Sequence, residues 1–484
     1  MKQTFLSKIS KNLLLNHKDH FSDLVIVFPS RRASLFFSDQ LSQLISSPIW
    51  MPTFYSIDDF VFNVNQLKQV NKLELFFEFY NIYSKNISSP HNLEKCYKWA
   101  DMLLSDFDEI DKSCVQIEDI FNYLSDAKRI ESWHLEFENN NNSILDYLNF
   151  FGSLKKIYNL FRQSLLTQNT AYPGLAQRLI AENTNLIVKW LKHNQKHKII
   201  FIGLDALTIA QEKIIDFLLK NKLCEIYWDA DAYFVNNFEQ ESGKFLRKYQ
   251  KKWPQISSDF STDFLKIKKS IKIIGATKNI NQAKLLGHIL KQHSFTKDQL
   301  KKVAIILPNE DFLLTVLESI PSDIKDINVT MGYKLSHHPV VSLFNTILNL
   351  HGNARNISVK NQLGGQHFVA KDVLQLLTNY YFNLIVDSEN IESLIESINQ
   401  GSFNYLSYDD INSRFSIESN SFLQKILTTS FRNHDLVLSL FHEILDSLLE
   451  LDRTDSEEDV FLEESLYTIQ EHLHVFSQFL KKTK

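Results

Sequence analysis

Residues Leu24–Phe37 read LVIVFPSRRASLFF. The stretch opens with an unbroken apolar run, Leu24–Phe28, and then turns polar at Pro29-Ser30-Arg31-Arg32. An apolar run of this length, bounded by turn residues, reads as a strand buried on both faces, the kind found in parallel sheets. The residues after Arg32 carry a helical pattern, with the helix start expected near Ser34. Runs of the same kind recur at Lys198–Ile202, Glu225–Trp228, Ile271–Ile274, Val303–Leu307 and Ile327–Met331. Each is followed by turn or polar residues and then by helical periodicity. Strands alternating with helices predict an α/β chain with parallel sheets and crossover helices.

Between the first run and Lys198 the pattern is helical. Leu73, Phe76, Phe77, Tyr80 and Tyr83 recur at helical spacing, as do Trp99, Leu103, Leu104, Phe107 and Ile110, and later Leu145, Leu148, Leu154, Tyr158, Phe161 and Leu165. This predicts a helical subdomain inserted into an α/β domain. Ser257–Lys269 is polar and basic and reads as a linker. The expected organisation is a first α/β domain in two parts, residues 1–68 and 191–262, interrupted by a helical insertion at 69–190. A second, incomplete α/β domain follows at 268–351, then a mostly helical part at 352–484.

Composition narrows the function classes. The chain has 484 residues, 44% hydrophobic and 23% charged, which is ordinary for globular domains. Net charge is −5, from 52 basic and 57 acidic side chains, so a uniformly basic nucleic-acid coat is excluded while a local groove is not. No apolar run is long enough to span a bilayer, and Met1–Leu15 lacks the pattern of a signal peptide. The three cysteines, Cys96, Cys114 and Cys224, are too few for a disulfide framework or a four-thiolate metal site. A cytoplasmic protein is expected.

Glycine is the most informative residue. There are 11, and the first is Gly152. Loops that cradle phosphates need glycines so that backbone N–H groups can converge on oxygen. The chain contains neither G-x-x-x-x-G-K-[ST] nor G-x-G-x-x-G, and Gly364-Gly365 is not followed by Lys-Ser or Lys-Thr. There is no G-x-S-x-G and no H-E-x-x-H. His193 and His197 are flanked by lysines, which oppose a metal cation, and read as a solvated helix end.

Four stretches, taken in order, carry a resemblance. They are LVIVFPSRRASLFF at Leu24–Phe37, PTFYSIDDFVF at Pro52–Phe62, KIIFIGLDALTIAQEKIIDF at Lys198–Phe217, and Val303–Leu350, whose core reads INVTMGYKLSHHPVVSLFNTILNL. This order resembles the AddB/RexB type of helicase-like nuclease subunit, in the variety seen in Bacteroidetes bacteria. The resemblance implies a P-loop NTPase-like, superfamily-1 helicase-like fold, which in that family precedes a PD-(D/E)XK nuclease domain. It implies DNA contact, to a single strand, at Pro29, Ser30, Arg31 and Arg32 and at Thr53, Tyr55 and Ser56. It also implies a helicase–nuclease partner subunit.

The same comparison places Gly203 where an acidic Mg²⁺ ligand is expected, with Asp205 two positions late. Met1–Ser22, where the nucleotide loop belongs, holds no glycine. Both halves of an ATP site are missing, so a helicase fold without a motor is implied, with no cofactor held by this chain. No cysteine follows Cys224, which excludes the iron–sulfur cluster of some family members. The D-x-K triplets at Asp126–Lys128 and Asp323–Lys325 read as solvated charges. Arg31 and Arg32 sit where a parallel sheet presents its carboxyl edge, so phosphate contact competes with plain helix-start polarity. In Lys244–Trp253, KFLRKYQKKW, the spacing of Phe245, Tyr249 and Trp253 makes one apolar face, and core packing is expected rather than base stacking. A pure interaction scaffold without DNA contact is the rival function.

Overall fold

The structure is a computed structural model that describes residues 4–124, 141–254, 260–293, 295–332, 334–356, 366–386, 391–401, 403–415, 421–451 and 457–483. The chain divides into two units, Met1–Ser270 and Ile271–Lys484. The Asp126–Lys128 triplet and Gly364-Gly365 lie outside the described residues.

The first unit begins with helix α1 (Phe5–Asn16), strand β1 (Leu24–Phe28), helix α2 (Arg31–Ser42), strand β2 (Thr53–Ser56) and helix α3 (Ile57–Asn65). After the two-residue strand β3 (Lys68–Gln69) come helices α4 (Lys72–Asn86), α5 (Leu93–Lys112), α6 (117–124) and α7 (Asn141–Thr167). Strand β4 (Thr170–Ala171) pairs with β3 and closes this insertion. Helices α8 (Pro173–Glu182) and α9 (Asn185–His193) lead to strand β5 (Lys198–Ile202), helix α10 (Ile209–Lys220) and strand β6 (Cys224–Tyr227). Two further helices, α11 (Ala232–Asn236) and α12 (Lys244–Lys252), complete the labelled elements.

The fold is α/β. Its main sheet has the order β2-β1-β5-β6, and every pairing is parallel. All five residues of β1 are buried. Ile9, Leu13, Phe37 and Leu41 of α1 and α2 cover one face, over Leu24, Ile26, Phe28, Ile200 and Ile202. On the other, Phe60 of α3 lies edge-on to Phe201 and to Trp190 of α9. Both faces are dry, which is why the strands read as continuous apolar runs rather than alternating ones.

The inserted helices pack around aromatic rings. Phe79, which the periodicity missed, is central: it meets Tyr83, Trp99, Phe107 and Phe161. Deeper in, Asp111 is fully buried and accepts hydrogen bonds from the hydroxyls of Tyr158 and Tyr172 at 2.5 Å each and from Arg178 at 3.3 Å. Burial pushes the Asp111 carboxyl upward, and the tyrosine hydrogen bonds and Arg178 oppose the push. Gly174 lets α8 approach α5: a Cβ there would collide with the Asp108 carbonyl.

Two sequence expectations need correction in this unit. In α12 the buried residues are Leu246 and Tyr249, with Trp253 just beyond, while Phe245 is exposed. Tyr249 stacks between Trp228 and Trp253, and Lys248 and Lys252 pair with the buried Glu212. The expected linker also docks on this unit in its described part. Phe264 stacks on Tyr233, its N–H donates to Asp231 Oδ2 at 2.9 Å, and Ser261 bridges to Asp231. A polar, basic composition hid one aromatic anchor.

The second unit contains a helical core. Leu343 and Ile347 of the helix Val340–Gly352 pack with Phe368, Leu376, Phe382 and Ile444. A three-stranded antiparallel sheet, Arg355–Asn356, Gln366–Val369 and Tyr405–Ser407, lies among these helices. Here a third correction applies. The runs Ile271–Ile274, Val303–Leu307 and Ile327–Met331 join no ladder. They are largely exposed, while helices Asn279–His293 and Leu313–Leu317 follow the first and second in the expected order. Strand-forming side chains supply a preference, but a ladder needs a neighbour at hydrogen-bonding distance.

Candidate nucleic-acid interface

The carboxyl ends of β1, β2 and β5 bring most of the predicted residues to one edge of the first sheet. From β1 the chain leaves in one direction to β2, and it returns on the other side of β1 as β5. The order therefore reverses between β1 and β5, and open parallel sheets bind ligands at such a switch point. Pro29 and Ser30 follow β1 directly, and Gly203 and Asp205 follow β5. Phe28 is in register with Ser56, the last residue of β2.

Helix α2 starts at Arg31, three residues earlier than the sequence pattern predicts. Ser30 is its N-cap, but the Ser30 hydroxyl accepts no capping hydrogen bond. The start of α2 thus lacks a side-chain cap and carries a hydroxyl and two arginines in succession, a setting suited to an anion.

The two arginines differ. Arg31 is committed: its Nε donates to Asp59 Oδ2 at 2.7 Å and a terminal nitrogen donates to Oδ1 at 2.5 Å. Asp59 in turn accepts from the Ser56 hydroxyl at 2.7 Å, and its own N–H donates to Ser56 Oγ at 3.1 Å. The Arg31 guanidinium holds the Asp59 carboxyl down at about 2, against the opposing effect of burial. Arg32 makes no ion pair among the described residues, and its guanidinium lies over the Phe36 ring at 5.7 Å. Arg32 is the available cation of the pair.

The β2 residues are half-buried. Tyr55 packs edge-on against Trp190, and burial, then Asp59, raise its phenol. Thr53 is in register with Val25, farther from the carboxyl edge than Ser56. Ser56 caps α3, so the residue predicted to touch DNA is occupied in ordering the helix that carries Asp59.

Gly203 is half-buried. Gly203 has φ +73°, a backbone shape that favours glycine, and a Cβ built there would lie 3.9 Å from the Phe5 ring. Phe5 is the first residue of α1, whose start is capped by Thr4. An apolar ring thus stands beside Gly203. Asp205 is exposed. Among the described residues no group of three or more His, Cys, Asp or Glu is arranged to hold a metal ion, and no helix is long and apolar enough to cross a membrane.

Sequence reasoning missed Asp59, Phe5 and Gln177. Gln177 is buried; its Nε2 donates to Asp58 at 3.4 Å, and its Oε1 accepts from the Thr208 hydroxyl at 2.9 Å. It ties the start of α3 to the cap of α10, the loop after Gly203. Asp59 had a signal, since Ser56-x-x-Asp59 has capping-box spacing. Phe5 and Gln177 had none, because their partners are distant in sequence. No protein-family model matches the chain, and a comparison with curated proteins returns no match.

Proposed function

We propose that this chain is a motor-less, superfamily-1-helicase-like module of a DNA end-processing nuclease, and that it holds a single DNA strand along the carboxyl edge of its first sheet. The observation that carries the reading is the start of α2 at the strand-order reversal, where the Ser30 hydroxyl makes no capping hydrogen bond and Arg32, which has no ion pair among the described residues, lies in the first turn. Phosphate is the ligand such a group fits, and contacts to phosphate position a strand without reading its sequence. The Phe5 ring beside Gly203 supports the motor-less part of the proposal. The P-loop NTPase-like ancestry rests on the resemblance together with the all-parallel sheet.

The test is binding of the full chain to a labelled oligothymidine across a salt series. A grip on about five phosphates gives a slope of log K against log[salt] of roughly −3.5. Replacing both Arg31 and Arg32 with Ala weakens binding for all sequences alike. Absent binding in low salt, or a slope near zero, sinks the proposal. The second reading, a scaffold that engages a protein partner, is favoured by the exposed apolar runs of the second unit.

A further inference from the structure

Helix α2 carries three large apolar residues in succession, Leu35, Phe36 and Phe37, and buries only the last. Phe37 packs into the core against Phe28 and Phe54, with ring centroids 5.4 and 5.9 Å apart. Phe36 is 53% exposed. A single exposed apolar side chain is ordinary on a protein surface. Phe36 is set apart by the cation that lies on it. Arg32 stands one turn earlier on the same helix face, with its guanidinium 5.7 Å from the centre of the Phe36 ring. Among the described residues Phe36 meets no other ring, and Arg32 meets no carboxylate.

The neighbouring acids define the extent of this pair. Asp59 is engaged by Arg31, so its charge is matched before Arg32 is reached. Asp39 lies one turn beyond Phe36 and accepts from Gln43 at 3.0 Å. Its carboxylate turns an anionic chain away from the farther part of α2. The cation and the ring therefore form a short site near the carboxyl edge of the sheet, bounded by a negative charge.

Two side chains of this kind make two demands on a ligand. Arg32 calls for an anion, and the ring calls for a flat apolar face. Free phosphate meets the first demand alone, and an apolar protein surface the second alone. A nucleotide of a single strand meets both, because it joins a phosphate to a base with a π-face. A guanidinium serves both contacts, since it donates to phosphate oxygens and stacks on rings. In a duplex the bases are stacked on one another and must be extruded before a side chain can cover them.

We propose that Phe36 stacks on a base of the strand whose phosphate Arg32 binds, and that this contact selects single-stranded over duplex DNA. The inference rests on the DNA reading above and adds the residue that recognises an unpaired base. It uses two side chains and no N–H group of the helix start.

The test is binding of the full chain and its variants to oligothymidine, to an abasic strand of the same length built from tetrahydrofuran units, and to a duplex. Phe36→Ala weakens oligothymidine binding by roughly tenfold, the loss of one base stack. Its salt slope stays at the parent value, because no phosphate contact is removed. Binding of the abasic strand and of the duplex is unchanged. Phe36→Trp keeps the parent affinity for oligothymidine. The circular dichroism spectrum of Phe36→Ala matches the parent, since the ring lies outside the core. Unchanged oligothymidine affinity in Phe36→Ala overturns the inference and leaves the DNA reading standing. An equal loss on the abasic strand or the duplex also overturns it, because Phe36 then merely props Arg32. No binding of oligothymidine by the parent in low salt sinks the DNA reading and this inference together.

Discussion

The same kind of sequence does opposite things in the two halves of this chain. In the first unit, Leu24–Phe28 and Lys198–Ile202 lie side by side in a parallel ladder, covered by helices on both faces. In the second unit, Ile271–Ile274 and Val303–Leu307 have as strong a strand preference and no ladder. The difference lies in the cover. β1 has neighbours on both edges, and α1, α2 and α3 supply apolar residues to both faces. The lesson is that a buried strand is a property of its surroundings, and propensity marks only where one can form.

The largest effect tests this contrast with one substitution made twice. Ile200 is fully buried in β5, and Ile273 is almost fully exposed. Ile200→Ala is expected to destabilise the first unit by ~2–5 kcal/mol, because it removes buried methyl groups and leaves a cavity. Ile273→Ala is expected to stay within ~0.5 kcal/mol of the parent. Urea unfolding of the two variants, followed by tryptophan fluorescence and circular dichroism, makes the comparison. All six tryptophans lie at or before Trp253, so fluorescence reports the first unit alone. A large loss from Ile273→Ala would mean that the run is paired within the chain, and the contrast would collapse.

A second test asks whether the exposed runs signal a second unit that is loose throughout. Its core argues otherwise. His351 is buried, stacked on Phe431 with ring centroids 3.6 Å apart, and its Nε2 faces the Ile426 carbonyl oxygen at 2.8 Å. Burial lowers its pKa from the ordinary 6.5 to about 4. The depressed group stays neutral in the fold, so the unfolded chain takes up its proton first. The stability it contributes is complete above 6.5 and is lost as pH falls toward about 4. The full gap corresponds to about 3 kcal/mol. A loss of stability in that window, seen by circular dichroism and absent from tryptophan fluorescence, is expected, and His351→Leu should remove the pH dependence. A flat profile in the parent would show that the ring is solvated and the core open.

Much of the first sheet was legible because its strands are buried on both faces, so the signal is local and dense. Asp59 was half-legible, since its spacing from Ser56 announces a helix cap but not the arginine that pairs with it. Phe5 was not legible at all. Its importance lies in standing beside Gly203, nearly two hundred residues away, and nothing in the sequence of Met1–Ser22 predicts that neighbour. Phe79 escaped for another reason. It lies among Phe76, Phe77 and Tyr80, and a helix crowded with aromatic residues fits more than one face. The runs of the second unit were overread, because the missing ladder is a fact about tertiary neighbours.

The smallest expected effect concerns Arg31 and Arg32, adjacent in sequence and unlike in circumstance. Arg31 is already spent on Asp59, although its side chain is 82% exposed. The pair is worth little to stability at such exposure, but it leaves a clear signature in the carboxyl it holds. In Arg31→Ala the Asp59 pKa, about 2 in the parent, should climb toward the ordinary carboxylate value of 3.8, read by NMR titration of the Asp59 carboxyl carbon. The stability that this depressed carboxyl contributes, present above the ordinary value and lost as pH falls through about 2, should shrink toward nothing in that variant. Arg32→Ala should leave Asp59 where it is and reduce the salt slope of single-strand binding by about 0.7, the share of one phosphate. If Arg31→Ala reduces the slope as much as Arg32→Ala does, the ion pair must open when DNA arrives. Asp59 would then be a competitor that phosphate displaces, and its carboxyl would titrate near the ordinary value in the DNA complex as well.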